Sequence, residues 1–294
     1  MNEPIIEIKN LVREFGNKRA LDNVSLTIQP GTVMGLVGEN GAGKTTLIKH
    51  VLGLLKAQQG TVSVFGMDPV ANPEAVLSRI GYLSEEGDLP TWMKVHELMR
   101  YSAAFYPTWD DQYGMKLLDE FKLDPGAKLS KMSKGQRSRA GLLVAMAYRP
   151  QLLVLDEPSS GLDPIVRKDI LGAIIRTIAD DGRTVLFSSH LLSEVERVAD
   201  QISMVKNGKI LLSDNLDNVK ENHYRATLLF ENPISQHPEL EGSLTWSGGG
   251  KEWHLTFSGD PKRLDEAAMN WNAKIIERAG LSLEEIFVAR VGAA

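Results

Sequence analysis

The sequence predicts an α/β fold built on a parallel β-sheet. Four short apolar runs have the length and composition of buried strands: Val33–Val37, Leu152–Leu155, Thr184–Phe187 and Ile202–Val205. Stretches with helical periodicity, near 163–180 and 190–199, alternate with the last three runs. A glycine-rich loop and a further helical pattern follow the first run. Buried strands that alternate with helices are typical of a parallel sheet with crossover helices.

The elements around this core follow from their own patterns. Residues 5–13 and 20–28 alternate apolar and polar side chains, which predicts two half-buried strands near the start of the chain. Leucine, isoleucine and valine at helical spacing predict a helix over Lys44–Leu55. Residues of about 90–150 are mainly helical in period, with prolines as breaks, and predict a helical subdomain.

The pattern changes after residue 220, so we expect a main domain over 1–219 and a small α+β domain over 220–294. Three strand-like segments in the second part surround a segment, Ser247–Gly250, that we expect to be flexible. These strand-like segments are Ala226–Phe230, Ser243–Trp246 and Trp253–Phe257. A helical pattern follows near 262–271.

Composition excludes several classes of function. The 294 residues are 43% hydrophobic and 24% charged, as in ordinary globular proteins. The net charge of −5 gives no support to a nucleic-acid partner, and the absence of cysteine excludes disulfides and thiolate chemistry. Apolar runs such as Leu142–Tyr148 are too short to span a bilayer, and the first ten residues have acidic side chains where a signal peptide needs a basic region and an apolar run. We therefore expect a cytoplasmic protein that meets a membrane only through a partner.

Residues 38–45, GENGAGKT, match the phosphate-loop pattern G-x-x-x-x-G-K-[ST] between a predicted strand and a predicted helix. Glycines allow backbone amides to surround phosphate oxygens, and the helix N-terminus adds a partial positive charge. Lys44 would reach the terminal phosphates and the Thr45 hydroxyl would ligate Mg²⁺. The alternative is a glycine-rich turn that only starts a helix. The expected nucleotide-binding residues of this segment are Gly38, Asn40, Gly41, Ala42, Gly43, Lys44, Thr45 and Thr46.

Two carboxylates, Asp156 and Glu157, follow the apolar run Leu152–Leu155. The carboxyl ends of parallel strands are where α/β folds bind ligands. We expect Asp156 to hold Mg²⁺ and Glu157 to act as the general base that polarises the attacking water. The alternative is a strand end with two solvated acids.

An ordered series of motifs resembles the ATP-binding subunit of an ABC transporter over about residues 5–215. The series is GENGAGKTT (38–46), MSKGQ (132–136), LLVLDEP (152–158), SSGLDP (159–164) and a strand ending in His190. The resemblance implies a P-loop ATPase core with an antiparallel β subdomain, a helical subdomain and a small C-terminal extension. It implies ATP and Mg²⁺ as cofactors and ATP hydrolysis as the activity.

The resemblance also implies roles for three residues outside these loops. Phe15 stands where an aromatic ring stacks on adenine, Asp163 lies in the loop that signals between subunits, and His190 contacts the γ-phosphate. The alternatives are a strand-end core aromatic for Phe15 and a structural histidine for His190.

The segment Ser133–Gln136 precedes a helical pattern and so predicts a second helix N-terminus that can bind anions. The residues are Ser133, Lys134, Gly135 and Gln136. In the family geometry this segment closes the nucleotide site of another chain. We therefore expect a second ATPase subunit as partner, in a homodimer or a heterodimer.

Two positions depart from the family pattern. Lys134 replaces a glycine, a version familiar in exporter-type members, and brings a positive charge toward the expected γ-phosphate. Glu85 stands where a glutamine normally touches Mg²⁺ and links to the membrane subunit. A glutamate oxygen can also ligate Mg²⁺, so Glu85 is a third candidate metal ligand beside Thr45 and Asp156.

The sequence favours an ATPase subunit that drives a separately encoded membrane exporter from the cytoplasmic face. The terminal stretch 281–291, LSLEEIFVARV, resembles the C-terminal extension of the exporter branch. One alternative is an ABC-type ATPase that acts on ribosomes or nucleic acid, but a second phosphate loop and sustained heptads do not occur in the sequence. Another is a nucleotide-responsive module without turnover, which would not need Glu157 and His190.

Overall fold

The computed structural model describes residues 3–87 and 89–293. The chain divides into two compact units, Met1–Ser213 and Asp214–Ala294.

A six-stranded sheet forms the centre of the first unit. Its strand order is β5-β6-β7-β3-β8-β9, and β5, β6, β7, β3 and β8 pair in parallel along that order. The strands are β3 (Val33–Val37), β5 (Ile80–Leu83), β6 (Leu152–Leu155), β7 (Thr184–Ser189), β8 (Gln201–Lys206) and β9 (Lys209–Asn215). Every residue of β3, β6 and β7 is buried, as expected for strands covered on both faces. The predicted parallel sheet is confirmed.

A second, antiparallel sheet of the first unit has the order β2-β1-β4. Its strands are β1 (Ile6–Phe15), β2 (Lys18–Ile28) and β4 (Gln59–Val64). Ile6 and Ile8 are buried on alternate positions of β1 and pack into the cluster of the parallel sheet. Strand β4 was not predicted, because its polar, mostly exposed sequence lacks a clear apolar alternation.

The α-helices in the described part of the first unit are α1 (Lys44–Val51), α2 (Pro73–Leu77), α3 (Val95–Ala103), α4 (Asp111–Glu120), α5 (Lys134–Ala147), α6 (Pro164–Asp181) and α7 (Leu192–Val198). Helices α3, α4 and α5 occupy the region predicted to be helical. Helix α1 ends four residues before the predicted Leu55. Gly53 adopts a φ of 70°, and the amides of Leu54 and Leu55 both donate to the Lys49 carbonyl, which closes the helix.

The described residues of the second unit form a three-stranded antiparallel sheet of order β11-β10-β12 together with helices. Its elements are α8 (Leu216–Glu221), β10 (His223–Ile234), β11 (Ser243–Ser258), α9 (Pro261–Asn270), β12 (Ala273–Gly280) and α10 (Leu283–Ala293). Its core cluster includes Leu228, Leu255 and Leu264. Segment 247–250, predicted to be flexible, lies within β11, where Gly250 pairs with Ile234 of β10. The α+β class of this region is therefore as predicted.

None of the helices described in residues 3–87 and 89–293 is long and apolar enough to cross a membrane.

Candidate active site

The glycine-rich loop connects the end of β3 to the start of α1 and leaves the N-terminus of that helix open. Gly43 precedes α1 with a φ of 116°, and a Cβ built there would lie 2.6 Å from the Ala20 carbonyl oxygen, so this position requires glycine. No side chain caps the helix, and its first turn contains no acidic residue. The first amides of α1 are therefore free to bind an anion.

Lys44 is buried and spans this loop. Its Nζ donates to the carbonyl oxygens of Gly38 at 2.6 Å and Glu39 at 3.2 Å. The same Nζ lies 3.0 Å from Oε1 of Glu157, a carboxylate that is also buried. Lys44 thus lies between the phosphate loop and the acidic end of β6, where a bound phosphate would compete for its charge.

A cleft of about 360 Å³ opens over the N-terminus of α1. Nine predicted site residues line it: Phe15, Asn40, Gly41, Gly43, Lys44, Thr45, Thr46, Glu85 and Glu157. Gly38 and Ala42, also predicted, do not line the cleft. They belong to the part of the loop that packs against residues 205–208. The Ala42 carbonyl accepts from the Gly208 amide at 2.8 Å, and a Cβ on Gly38 would lie 2.3 Å from the Val205 oxygen.

Phe15 lies at the mouth of the cleft, at the end of the β1–β2 hairpin. Its side chain is 46% exposed, and the Arg13 guanidinium carbon lies 4.6 Å from the ring centroid. Phe15 pairs with Lys18 across the hairpin, and Lys18 lines the same cleft. The position suits a ring that stacks on a base, and Lys18 adds a positive charge beside it.

Asp156 leaves the end of β6 as a buried carboxylate. Its Oδ1 accepts a hydrogen bond from the Ser188 hydroxyl at 2.7 Å, and the Thr45 hydroxyl also donates to the side chain. Burial raises the pKa of Asp156, while these two hydrogen bonds lower it. The negative charges of Glu157 and Glu85 act in the same direction as burial.

The chemistry of these donors fits a hard divalent cation. Burial is the main cause that raises the pKa of Asp156, the negative charges of Glu157 and Glu85 add to it, and the Thr45 hydroxyl donates to the Asp156 carboxylate. Mg²⁺ takes oxygen ligands and is held in nucleotide sites by one or two protein groups together with phosphates. A cation beside Asp156 and Thr45 would stabilise the negative charge of the buried carboxylate.

Glu157 and His190 form a pair at the carboxyl edge of the sheet. Nδ1 of His190 lies 2.7 Å from Oε2 of Glu157, and the His190 amide donates to the same oxygen at 3.3 Å. The Glu157 amide donates to the Ser188 hydroxyl at 2.8 Å, with a φ of 46° at Glu157. This tight turn directs both residues to the edge of the sheet where the phosphate loop also lies.

Glu85 lines the phosphate cleft from the loop that follows β5. Its Oε1 accepts a hydrogen bond from the Ser160 hydroxyl at 3.1 Å. It also lines a second cleft, next to Lys134 and Arg137. Glu85 therefore connects the phosphate cleft with the loop that leads to Asp163.

The second predicted anion site lies apart from the phosphate cleft. Ser133 caps α5, because its hydroxyl accepts from the Gln136 amide at 3.2 Å while the Gln136 side chain accepts from the Ser133 amide at 2.9 Å. Among the described residues that line the phosphate cleft, none belongs to 133–136. Asp163 also lies outside it and caps α6 by accepting from the amides of Ile165 and Val166.

Sequence reasoning missed Lys18 and Ser188. Lys18 could have been found from the hairpin, because a two-residue turn after Phe15 places residue 18 opposite it. Ser188 gave no comparable signal, because the predicted strand ends at Phe187 and the hydrogen-bond partners of Ser188 lie 31 and 32 residues away in the sequence. Its partners are the backbone of Glu157 and the carboxylate of Asp156.

The geometry is that of a phosphate loop facing a buried acid pair, and comparisons with known proteins give the family. The sequence profile described as ABC transporter matches residues 21–160. The chain is 30% identical to the ABC transporter ATP-binding protein YhaQ of Bacillus subtilis, over 98% of this chain and 99% of that protein. It is 31% identical to the bacitracin transport ATP-binding protein BcrA of Bacillus licheniformis, over 74% and 72%. A solved ATP-binding subunit of an ABC transporter matches with a TM-score of 0.68 and 29% identity, over 74% and 92%.

The fold and the site together define an ATP-binding cassette, a P-loop ATPase with an antiparallel β subdomain and helical parts. The chain belongs to the ATP-binding proteins of ABC transporters. The predicted fold class and family are confirmed.

Proposed function

We propose that this chain hydrolyses ATP to drive a separately encoded membrane exporter, and that two ATPase subunits close on the nucleotide in each cycle. The observation that carries the proposal is the position of Lys44 and the open α1 N-terminus opposite the Glu157–His190 pair. A phosphate chain held by the loop would place its terminal phosphate toward the Glu157–His190 pair. Binding and hydrolysis then share one cleft.

Each side chain has a distinct role in this proposal. The amides of the loop and Lys44 bind the phosphates, and Phe15 stacks on the base. Thr45 and Asp156 would hold Mg²⁺, which neutralises phosphate charge when bound. Glu157 accepts a proton from the attacking water, and His190 orients Glu157 through its 2.7 Å contact and reaches toward the terminal phosphate.

The proposed dimer rests on the position of residues 133–136. Their helix N-terminus can bind an anion, yet they do not line the cleft of their own chain. A second chain facing this one would receive Ser133 and Lys134 at its own nucleotide. Asp163, at the start of α6, would lie at the same interface.

This chain has a surface that could receive the proposed membrane subunit. A mostly apolar cleft of about 390 Å³ lies beside the Glu85 loop and includes Leu54, whose side chain is 61% exposed. An exposed apolar cleft of this kind is suited to receive apolar side chains of a partner protein. We assign it to a segment of the membrane subunit, which would place the chain at the cytoplasmic face of the membrane.

The exporter direction is supported by the resemblance of Lys134 and the stretch 281–291 to exporter-type members. BcrA, a bacitracin transport ATP-binding protein, is a relative of this chain.

Affinity purification from detergent-solubilised membranes tests the proposal. We expect the tagged chain to bring down a multispanning protein in stoichiometric amount, and Leu54→Glu to lose that protein while it retains ATP binding. Met269→Glu, an equally drastic change at an exposed residue of α9, is the matched control and keeps the partner. Recovery of ribosomes or nucleic acid instead would support the alternative class of ABC ATPase.

A further inference from the structure

Glu194 is a buried carboxylate that lies outside the phosphate cleft. It belongs to the first turn of α7 and is 3% exposed. A carboxylate removed from water is costly unless hydrogen bonds and a cation satisfy it. The groups that contact Glu194 therefore indicate its role.

Two of these partners flank the catalytic pair in sequence. Oε2 of Glu194 accepts from the Ser159 hydroxyl at 2.6 Å and from the Ser189 hydroxyl at 3.0 Å. Ser159 lies two residues after Glu157, and Ser189 lies directly before His190. One oxygen atom thus joins the loop that carries the proposed base to the loop that carries its histidine.

The other oxygen reaches the segment after Asp163. Oε1 of Glu194 lies 3.3 Å from Nε of Arg167, and the Arg167 guanidinium donates to the Leu162 carbonyl at 3.2 Å. Residues 159 and 167 are thereby anchored to the same carboxylate, on either side of Asp163. The loop that faces the second subunit is fixed at both ends.

We propose that Glu194 is a positioning residue that couples the Asp163 loop to the Glu157–His190 pair, an inference that rests on the proposed ATPase cycle. When a second subunit presses on the Asp163 loop, Ser159 and Arg167 transmit the displacement to Glu194. Glu194 passes it to Ser189 and so to His190. Closure of the dimer is in this way linked to the orientation of the base.

The test is Glu194→Gln in the full-length chain, which keeps the side-chain shape but removes the charge that faces Arg167. We expect the nucleotide affinity and the KM for ATP to stay within about twofold, because Glu194 does not line the cleft. We expect kcat to fall about tenfold or more, because small misplacements of a catalytic group are costly. ATP-driven dimerisation, measured in the Glu157→Gln background, should weaken as well.

Ser159→Ala is the second variant, since it removes one arm of the contact without burying an unpaired charge. It should lower kcat in the same way, and its effect should not add to that of Glu194→Gln. Glu266→Gln, the same chemical change at an exposed position of α9, is the matched control and keeps wild-type kcat.

Two different failures can be told apart. If the wild-type chain does not hydrolyse ATP, the proposed function fails. If the wild-type chain hydrolyses ATP and both variants keep its kcat and its dimerisation, with at most a lower melting temperature, Glu194 is only structural and the inference is overturned.

Discussion

Nδ1 of His190 lies 2.7 Å from Oε2 of Glu157, and the other oxygen of that carboxylate lies 3.0 Å from Nζ of Lys44. Glu157 therefore contacts one group from the phosphate loop and one from the end of β7. In the proposed role of base, Glu157 would have a fixed direction before substrate binds. The fold already orients Glu157, so its side chain does not have to be ordered during the reaction.

Glu157→Gln should bind ATP but hydrolyse it at least about a hundredfold more slowly, because an amide cannot accept the proton of the attacking water. If closure needs nucleotide and reopening needs hydrolysis, this variant accumulates as a dimer with Mg·ATP. Size-exclusion chromatography with and without Mg·ATP measures this. A monomeric variant with normal turnover would show that Glu157 is not the base.

Lys44→Ala should weaken Mg·ATP binding about tenfold or more, since it removes a charged donor to the phosphates. Thr45→Ala should also weaken binding, but only when Mg²⁺ is present, because its hydroxyl lies against Asp156. Titration with a fluorescent nucleotide, with Mg²⁺ or with a chelator, separates the two effects. Wild-type affinity in both variants would falsify the phosphate-loop assignment.

The parallel sheet and the phosphate loop could be predicted because both depend on local sequence. The buried run of β3, the glycines and Lys44 form a contiguous pattern with a known physical purpose. The position of Asp156 and Glu157 directly after a buried strand was also predictable, and their roles as metal ligand and base stay predictions.

The hydrogen bonds that hold the site residues in place were not predictable in the same way, because they join segments that are distant in the sequence. Ser188 reaches Asp156 across 32 residues, and Ser159 reaches Glu194 across 35. No local period relates such positions. Likewise β4 is defined by pairing with β1 rather than by its own sequence, and Gly250 of the segment 247–250 pairs with Ile234 of β10.

A chain that ends at Ser213 should still bind Mg·ATP with an affinity within about twofold of the full-length protein. Every residue that lines the phosphate cleft belongs to the unit Met1–Ser213. We propose on this basis that the second unit is a separate folding domain. Circular dichroism and nucleotide titration of the truncated chain measure both points. An unfolded or aggregated product would mean that the second unit is needed for the ATPase fold.

The stability of the second unit should depend on pH through His223. This side chain is buried, with Nδ1 2.6 Å from the Val219 carbonyl oxygen, and Nε2 accepts from the Arg290 guanidinium at 2.8 Å. Burial lowers the pKa of His223 below its ordinary value, and the Arg290 charge lowers it further. The folded unit therefore holds a neutral imidazole that accepts at Nε2.

The pKa of His223 is lower in the folded state than in the unfolded state. The stabilisation that neutral His223 gives to the folded unit is therefore fully present above about pH 6.5, and it is lost as the pH falls below that value. We expect the melting temperature of residues 214–294 to drop by a few degrees more in the wild type than in His223→Asn between pH 7.5 and 5. Equal pH dependence in wild type and His223→Asn would rule out this role.

Glu85 stands where the family that the sequence resembles has a glutamine, and its side chain contacts the Ser160 hydroxyl. A carboxylate about 4 Å from a phosphate or from another carboxylate is repelled by on the order of 4 kcal/mol as a raw Coulomb figure at an effective dielectric constant of 20. The Ser160 hydroxyl, 3.1 Å away, holds Glu85 toward the Asp163 loop. We propose that this contact keeps the isolated subunit at a low rate until the membrane partner moves the Glu85 loop.

Glu85→Gln should then raise the ATPase rate of the isolated protein several-fold at saturating Mg·ATP, because the repulsion disappears while the side chain keeps its shape. Ser160→Ala should raise it less, since the charge stays but is no longer held. Steady-state phosphate release, titrated with Mg²⁺ for each variant, measures both effects, and Glu266→Gln on α9 is the control for charge removal alone. A fall in rate with a weaker Mg²⁺ dependence in Glu85→Gln would instead identify Glu85 as a direct metal ligand. An unchanged rate and an unchanged titration would place Glu85 outside the reaction altogether.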